Sequence, residues 1–538
     1  MSRRSCWNDP NPVGTLSLPR DLWNRFVFPY LRWRDTNSLC GVCSELRRIV
    51  SEAKRQTPEW RTTVLGPSAT ALASLELLQR NHLDWVETRY APDLVLLFAA
   101  SQDPKPWRGG SYWKEAMAAI TEARLLPQKC KIVGMLTMKA AVRMNDELAH
   151  VVTHSTVTLS ISVAQFPDTT IEMASFERKK LRRQRGDEEL AKPFNDSENG
   201  TPSFLLFGVN NQSASQLVRQ IEKWYPGAAI AGAVSPLNDR CEPLTYCIVD
   251  TVCLPVRKAR RHVKFVSQRR RRLTQQTVRG QFVFPSTLLL CLNGAVSMKV
   301  FSASGFYPIT PVIQFVCLEG TMGSVVRPYL ASIIGQQHVT QQRLEDILEP
   351  SERLAMERAF CTNKLSIFSC HDSAPLRSVL ACCNSNESIP SVSSSSIERL
   401  DDVIWNQGCL MSLSRLGWQE GSYGIVASTD STRVFSAVQE ALERIQARSS
   451  SPMERVFGAY IAAATLDDME DSSLAIKLEQ LCRGILGENQ LGGCVVSNSV
   501  GPVAFFNSVQ PFAMTNTYQV QAQITCGAVF VMNGCVTR

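Results

Sequence analysis

A recurrence of apolar residues every three or four positions marks the first organised part of the chain. Pro19 fits the start of a helix, and Leu22, Phe26 and Tyr30 follow at a spacing of four. Val27 and Leu31 extend the same stripe. This spacing predicts a helix with one apolar face.

Two more short helices are predicted directly after it. Asp35 opens the second, which carries Leu39 and Val42, and the third carries Leu46 and Ile49 among basic residues. Three helices this short cannot bury all of their apolar surface among themselves. They form either an ordinary helical cap on a larger body or a module that requires a partner.

After residue 65 the pattern changes to apolar strands that alternate with helices. Strands are predicted at Leu94–Ala100, Lys131–Leu136, Val157–Val163, Ile171–Phe176, Phe204–Val209, Ala459–Leu466 and Leu491–Val496. Helices are predicted over Trp113–Leu126, from Ser213 past Trp224, over Val434–Ile445 and over Leu474–Leu486. This alternation predicts an α+β or α/β fold with β-sheets flanked by helices.

Two of these strands and a further apolar strand, Ala229–Ser235, share a glycine that is followed by a serine or threonine. The pairs are Gly134 with Thr137, Gly232 with Ser235, and Gly493 with Ser497. Strand ends often carry such residues, and we favour that explanation. The alternative is a repeated unit that brings backbone amides to a shared cleft.

Length and composition indicate a globular protein of two or three domains. The chain has 538 residues, of which 44% are hydrophobic and 20% are charged, so a mostly disordered protein is excluded. No apolar run approaches the roughly 20 residues that a membrane span needs. The first residues also lack the apolar region of a signal peptide. We therefore expect a cytoplasmic or nuclear protein, or one found in both compartments.

The positive net charge is concentrated in two short segments. Lys179–Arg185 holds five basic residues and Arg257–Arg272 holds nine, with no acidic residue in either. Removing these fourteen from the net charge of +8 leaves −6 for the rest of the chain. The segment at 257–272 is a solvated surface or an import signal. Because no nucleic-acid-reading motif accompanies the charge, we do not expect nucleic-acid binding.

The cysteines and histidines do not form a compact metal motif. Cys40 and Cys43 have metal half-site spacing, but no second pair stands at the distance of a zinc finger or ribbon. The sequence also lacks a nucleophile elbow and a phosphate-binding loop. We therefore expect no catalytic residues, no metal and no cofactor.

The N-terminal helices resemble an F-box. The positions that match the family pattern are Leu18, Pro19, Asp21, Leu22, Phe26, Val27, Tyr30, Leu31, Asp35, Leu39, Val42, Cys43 and Arg47. Pro29 adds a residue before Tyr30, and Leu46 stands where a tryptophan is common. The resemblance implies an F-box at 15–62 after a flexible tail at 1–14. It also assigns Cys43 to the F-box pattern rather than to a metal site.

The remainder of the chain resembles the FIST family. The matching segments, in family order, are Lys131–Ala140, Trp224–Ser235, Ser304–Val312, Val325–Gly335 and Gly492–Val503. The resemblance implies a FIST N-terminal domain at 63–320 and a FIST C-terminal domain at 321–538. Three polar positions depart from the family: Ser499 replaces a glutamate, Met135 a cysteine and Thr310 a glycine.

Together the two resemblances imply the substrate-recognition subunit of a Skp–cullin–F-box ubiquitin ligase, without chemistry of its own. The residues implied to bind the Skp-family adaptor are Leu18, Pro19, Leu22, Phe26, Val27, Tyr30, Leu31, Leu39 and Val42. The FIST domains would bind a protein substrate. A cleft between their halves would be lined by Gly134, Thr137, Gly232, Ser235, Gly305, Pro308, Ser499 and Gly501. The alternative is a scaffold that senses a small ligand, which the loss of the glutamate at 499 disfavours.

Overall fold

The fold is described from a computed structural model of the full chain. The described residues are 22–80, 88–101, 126–127, 130–137, 139–140, 157–177, 192–194, 201–208, 211–234, 245–248, 286–316, 329–330, 342–343, 349–361, 366–385, 398–400, 403–406, 409–412, 422–429, 431–448, 454–464, 480–481, 484, 491–496, 498–502, 518–522 and 524–533. Leu18, Pro19, Ser235 and the basic segments at 179–185 and 257–272 lie outside them.

Short helical elements form the first described part of the chain, residues 22–56, which we call the helical unit. A π-helical turn (Trp23–Val27) leads into a 3₁₀ turn (Phe28–Tyr30). Helix α1 (Trp33–Val42) and helix α2 (Ser44–Gln56) follow. Helix α1 begins two residues before Asp35, whose side chain accepts a hydrogen bond from the Arg32 amide at 3.1 Å. The prediction that Asp35 opens this helix was therefore two residues late, because Asp35 caps the helix from within its first turn.

Five further helices lie in the described chain from residue 59 onward, which we call the body. They are α3 (Ala71–Arg80), α4 (Asn211–Trp224), α5 (Pro350–Cys361), α6 (Ser373–Ser385) and α7 (Ser431–Arg448). The predicted helix over Val434–Ile445 is confirmed by α7. The helix predicted to begin at Ser213 begins two residues earlier, at Asn211, and buries Ser213 in its first turn. The helix predicted over Trp113–Leu126 lies almost wholly outside the described residues, as does most of Leu474–Leu486.

The strands of the first half of the chain are β1 (Glu59–Ser68), β2 (Leu94–Ser101), β3 (Lys131–Thr137), β4 (Lys139–Ala140), β5 (Val157–Gln165), β6 (Thr169–Glu177), β7 (Ser203–Gly208), β8 (Ala229–Val234) and β9 (Thr245–Ile248). After these come β10 (Ser286–Gly294), β11 (Val296–Ser304), β12 (Phe306–Pro308), β13 (Ile313–Val316), β14 (Tyr329–Leu330) and β15 (Gln342–Arg343). The second half contributes β16 (Ser366–Cys370), β17 (Glu398–Leu400), β18 (Val403–Asn406), β19 (Cys409–Ser412), β20 (Tyr423–Thr429), β21 (Glu454–Ala464), β22 (Leu491–Val496), β23 (Asn498–Pro502), β24 (Tyr518–Ala522) and β25 (Ile524–Asn533).

Four larger sheets and one hairpin organise these strands. The strand orders are β1-β5-β2-β3-β9, β24-β23-β8-β7-β10-β6, β11-β25-β21-β22-β4 and β15-β14-β13-β20-β16-β17, with β12 added to β20, and the hairpin is β18-β19. We call the four sheets the first, second, third and fourth sheet in that order. Most pairs are antiparallel, and helices are present beside mixed sheets, so the fold is α+β.

Each of the first three sheets contains one parallel pair. The pairs are β2 with β3, β7 with β8, and β21 with β22. The second strand of each pair is one of the three glycine-containing strands singled out from the sequence. The sequence echo therefore corresponds to a repeated structural unit of two parallel strands.

The central core joins the first three sheets. Trp60 of β1 stacks on Phe530 of β25 with ring centroids 4.7 Å apart, and Phe98 of β2 lies 6.0 Å from Phe207 of β7. Smaller apolar clusters lie under α7 and on the fourth sheet. No described helix is both long enough and apolar enough to cross a membrane.

The helical unit is continuous with the first sheet. Only Thr57 and Pro58 separate α2 from β1. The expected domain boundary between residues 62 and 63 falls inside β1. The change from helices to sheet therefore occurs a few residues before that boundary.

Candidate functional site

The helical unit presents three of the five large apolar side chains that are exposed in the described chain. Phe26 is 62% exposed, Tyr30 82% and Val42 69%. Only Leu72 and Leu354 complete the set of exposed large apolar residues in the described ranges. The three residues from the helical unit belong to the set that the F-box resemblance assigned to adaptor binding.

The other assigned adaptor residues are less exposed. Leu22, Val27, Leu31 and Leu39 are half-buried. Leu31 and Leu39 pack against the small apolar cluster inside the helical unit. Part of the assigned set thus supports the unit from within, and part of it is available at the surface.

The irregular first helix explains this division. Phe28 is 2% exposed and carries the contact with the interior, whereas Phe26, two residues earlier, points outward. A π-helical turn shifts the residues that follow it around the axis relative to an α-helix. Pro29, in the first turn of the 3₁₀ segment, ends the π-helical turn. The apolar spacing predicted one continuous helix here and therefore did not reveal Phe28 as the buried anchor.

Cys43 has a local structural role. Its side chain accepts a hydrogen bond from the Leu46 amide at 3.4 Å and caps α2. No group of three or more metal-ligating side chains occurs among the described residues.

Three of the expected cleft residues lie on neighbouring strands of the second sheet. Gly232 of β8 is the register partner of Val500 in β23, and Ser499 and Gly501 flank that position. Ser499 is completely buried. Its hydroxyl donates to the Ile524 carbonyl at 2.5 Å, and its oxygen lies 3.0 Å from the Cys526 sulfur.

The polar groups packed around Ser499 are also neutral. The Ser302 hydroxyl lies 3.1 Å from the Cys526 sulfur. The Gln521 amide nitrogen donates to the Pro502 carbonyl at 2.8 Å. A Cβ atom at Gly501 would lie 2.7 Å from the Cys526 sulfur and 2.8 Å from the Ser302 hydroxyl, so only glycine fits. The arrangement can hold β23 against β11 and β25, and its polar groups satisfy one another rather than facing an opening.

The remaining cleft residues are distributed over other sheets. Gly305 follows Ser304, which is the register partner of Ile524, so it lies at the edge of the same cluster. Pro308 pairs with Ala427 in the fourth sheet. Gly134 and Thr137 lie in β3 of the first sheet, where the buried Thr137 hydroxyl is 3.5 Å from the Ala99 carbonyl. The structure thus brings together Gly232, Gly305, Ser499 and Gly501.

The repeated glycines have a packing explanation. A Cβ atom at Gly232 would clash with the backbone of Leu206, its register partner in the parallel strand β7. Gly493 would clash in the same way with Ile461 of β21. These glycines permit close approach of two strand backbones, which is a structural requirement of the repeated unit.

No protein-family model matches the chain, and no curated protein matches it. The family expectations therefore rest on the residues quoted from the sequence alone.

Proposed function

We propose that this chain is the substrate-recognition subunit of a Skp–cullin–F-box type ubiquitin ligase. The proposal takes residues 15–62 as the F-box, 63–320 as a FIST N-terminal domain and 321–538 as a FIST C-terminal domain. The single observation that supports it most is that three apolar side chains of the helical unit, those of Phe26, Tyr30 and Val42, are exposed. We call these three residues the apolar face.

Exposed aromatic and aliphatic side chains of this kind are typical of a surface that a partner covers. Scattered single apolar residues occur on every protein surface, but large side chains gathered on one small unit suggest an interface. Aromatic residues in particular contribute strongly when a partner buries them. In the proposal that partner is the Skp-family adaptor, which links the chain to a cullin.

The chain would contribute to ubiquitin transfer by positioning rather than by chemistry. The FIST domains would hold a protein substrate, and the adaptor and cullin would bring the charged E2 enzyme close to its lysines. Holding both on one assembly raises their effective concentration and so accelerates the transfer. The proposal needs no catalytic residue, metal or cofactor on this chain.

A small-ligand sensor has less support. A sensor of charged ligands needs polar groups that face an accessible site. At position 499 the hydroxyl is completely buried and already donates to the Ile524 carbonyl. We therefore keep the substrate receptor as the proposal.

Binding of a purified Skp-family adaptor to the full-length chain tests the proposal. Phe26→Ser combined with Val42→Ser should weaken binding by at least about tenfold, because buried interface aromatics often contribute about 2 kcal/mol or more. Both side chains are already exposed, so the melting temperature should change little. Leu18→Ala with Pro19→Ala should also weaken binding.

A matched control is available on other helices. Leu72→Ser with Leu354→Ser removes the two other exposed large apolar side chains of the described residues, from α3 and α5. This control should bind the adaptor as the wild type does. Equal adaptor affinity for the wild type and the Phe26/Val42 variant would contradict the proposal.

A further inference from the structure

The apolar interior of the helical unit is completed by a residue from the body. Tyr90 is 3% exposed and lies in one cluster with Phe28, Ile49, Val50 and Ala53. Its ring meets the Phe28 ring edge-on, with centroids 6.4 Å apart. The helical unit therefore cannot form its interior without the segment 88–93, which we call the latch segment.

Hydrogen bonds hold α1 against the same segment. The Trp33 amide donates to the Thr88 carbonyl at 2.8 Å. The Thr36 hydroxyl donates to the Arg89 carbonyl at 2.8 Å, and Thr36 is the only buried residue among the described side chains of α1. Helix α1 thus buries a polar side chain against the latch segment and little apolar surface.

Charged groups add a second set of contacts, on α2. The Lys54 ammonium lies 3.7 Å from the Asp93 carboxylate, and the Arg55 guanidinium lies 3.4 Å from Asp168. These side chains are partly to largely exposed. Exposed ion pairs contribute little to stability, so these contacts orient the helical unit more than they hold it.

The junction also contains buried polar atoms without a partner. Within the described residues, no hydrogen bond reaches Trp23 Nε1, Thr88 Oγ1, Arg89 Nε or Gln165 Oε1. Each such group loses its hydration on docking without gaining a protein partner, which opposes docking. Comparable groups exist elsewhere in the chain, but half of those found in the described residues lie at this junction.

The interior of the helical unit is small. Its cluster of five buried residues, four from the unit together with Tyr90, is separate from the central core that joins the first three sheets. Regions with few buried apolar contacts open at lower free energy than the main core. Chain continuity with the body is limited, in the described residues, to the connection through Thr57 and Pro58.

We propose that the helical unit opens and closes on the body as one cooperative element, with Tyr90 as the latch. In the closed state the Tyr90 ring completes the helical interior, and in the open state that interior loses its anchor while the sheets stay folded. This property does not depend on which partner covers the apolar face. It makes the direction in which that face points adjustable rather than fixed.

Native-state hydrogen exchange of the full-length chain, at low denaturant concentrations, tests the proposal. The amides of α1 and α2 should converge on one opening reaction, with protection at least about tenfold lower than that of β21 and β25. Protection of α2 equal to that of β25 would overturn the proposal. Separate openings of α1 and α2 with different denaturant dependence would do so as well.

Hydrogen exchange of Tyr90 variants tests whether the Tyr90 ring is the latch. In Tyr90→Ala, hydrogen exchange of both helices should be at least about tenfold faster than in the wild type, because removing a buried ring leaves a cavity. Tyr90→Leu, which keeps apolar volume but removes the ring contact, should have an intermediate effect. Tyr90→Phe keeps the ring and loses only the hydrogen bond between the Tyr90 hydroxyl and Thr57, so exchange should rise less than in Tyr90→Ala. In all three variants exchange in β25 should be unchanged.

A ring removed from a separate cluster is the control. Phe368→Ala creates a cavity in the fourth sheet and should leave exchange of α1 and α2 unchanged. If Tyr90→Ala and Tyr90→Leu both leave the helices as protected as in the wild type, Tyr90 is not the latch. Faster exchange throughout the sheets in Tyr90→Leu would show that the helical unit is not a separate opening element.

Discussion

At position 499 a hydroxyl group is completely enclosed by strands of two sheets. It donates to the Ile524 carbonyl, and its oxygen lies 3.0 Å from the Cys526 sulfur. The Ser499 side chain therefore stabilises the fold. A buried hydrogen-bonding group that loses its partner carries a desolvation penalty.

Ser499→Ala should lower the free energy of unfolding by about 1–3 kcal/mol, because the Ile524 carbonyl loses its donor. Ser499→Glu should cost more, because it places a carboxylate among neutral groups. Urea unfolding of the full-length chain measures both effects. Ser378→Ala is the matched control, since that hydroxyl also donates to a backbone carbonyl, that of Ala374, but in an exposed hydrogen bond. A Glu variant as stable as the wild type would show that the site is open.

Asp93 offers a test at the junction of the helical unit and the body. Its carboxylate accepts a hydrogen bond from the Phe166 amide at 3.0 Å. Burial raises the pKa of Asp93, and the Lys54 charge and the Phe166 amide oppose that rise without cancelling it. The folded state therefore binds the proton more tightly than the unfolded state. It follows that the contribution of Asp93 to stability falls as the pH rises from the ordinary carboxyl value through the raised pKa.

Asp93→Asn removes this titration and retains an acceptor for the Phe166 amide. Relative to the wild type, the variant should therefore become more stable as the pH is raised from about 3.5 to about 7. Urea midpoints of both proteins at the two pH values measure the change. A stability difference that moves in the opposite direction would mean that the Lys54 pair outweighs burial.

At the scale of single elements, two glycines have different consequences: one permits close packing of strands, and the other lowers the stability of a helix. Gly232 lies in β8 where a Cβ atom would clash with the Leu206 backbone. Gly41 lies in α1 with no atom within 4 Å of a Cβ at that position. The same substitution should therefore have opposite effects at the two sites.

Gly232→Ala should destabilise the protein by more than about 3 kcal/mol or prevent folding, since a backbone cannot move aside as a side chain can. Gly41→Ala should stabilise α1 by about 0.5–1 kcal/mol, because alanine is the better helix former. Thermal unfolding measures the first, and hydrogen exchange of α1 measures the second. Tolerance of alanine at 232 would contradict the close approach of β7 and β8.

The sequence identifies the strands well where they are fully buried and continuous. The run at Leu94–Ala100 predicted β2, and the run at Phe204–Val209 predicted β7, because an unbroken apolar segment of this length has few alternatives. The pattern did not reveal that Phe28 rather than Phe26 points inward. That depends on a π-helical turn, which apolar spacing alone does not encode.

The candidate site was predictable only in part, for a related reason. Gly232, Ser499 and Gly501 were selected from separate segments and lie together on β8 and β23. Their burial follows from how the second and third sheets pack, which is a long-range property. Tyr90 could not be identified from the sequence as part of the helical interior, because it is separated from α2 by β1 and α3.

At the scale of the whole molecule, the chain combines a small helical unit with a large body of mixed sheets. The unit contributes three of the five exposed large apolar side chains in the described residues, whereas the body buries its apolar residues in cores shared between sheets. Under the proposal, the helical unit binds the Skp-family adaptor of the ligase and the body binds the substrate. These two tasks should be separable by substitutions on the apolar face.

Affinity capture of the full-length chain from its native cell tests this account most directly. The wild type and the Leu72/Leu354 serine variant should each recover a Skp-family adaptor, a cullin and further proteins. The Phe26/Val42 serine variant should lose the adaptor and the cullin together, by at least about tenfold, and keep the further proteins. Recovery of the cullin undiminished with that variant, or its absence from the wild type, would contradict the account.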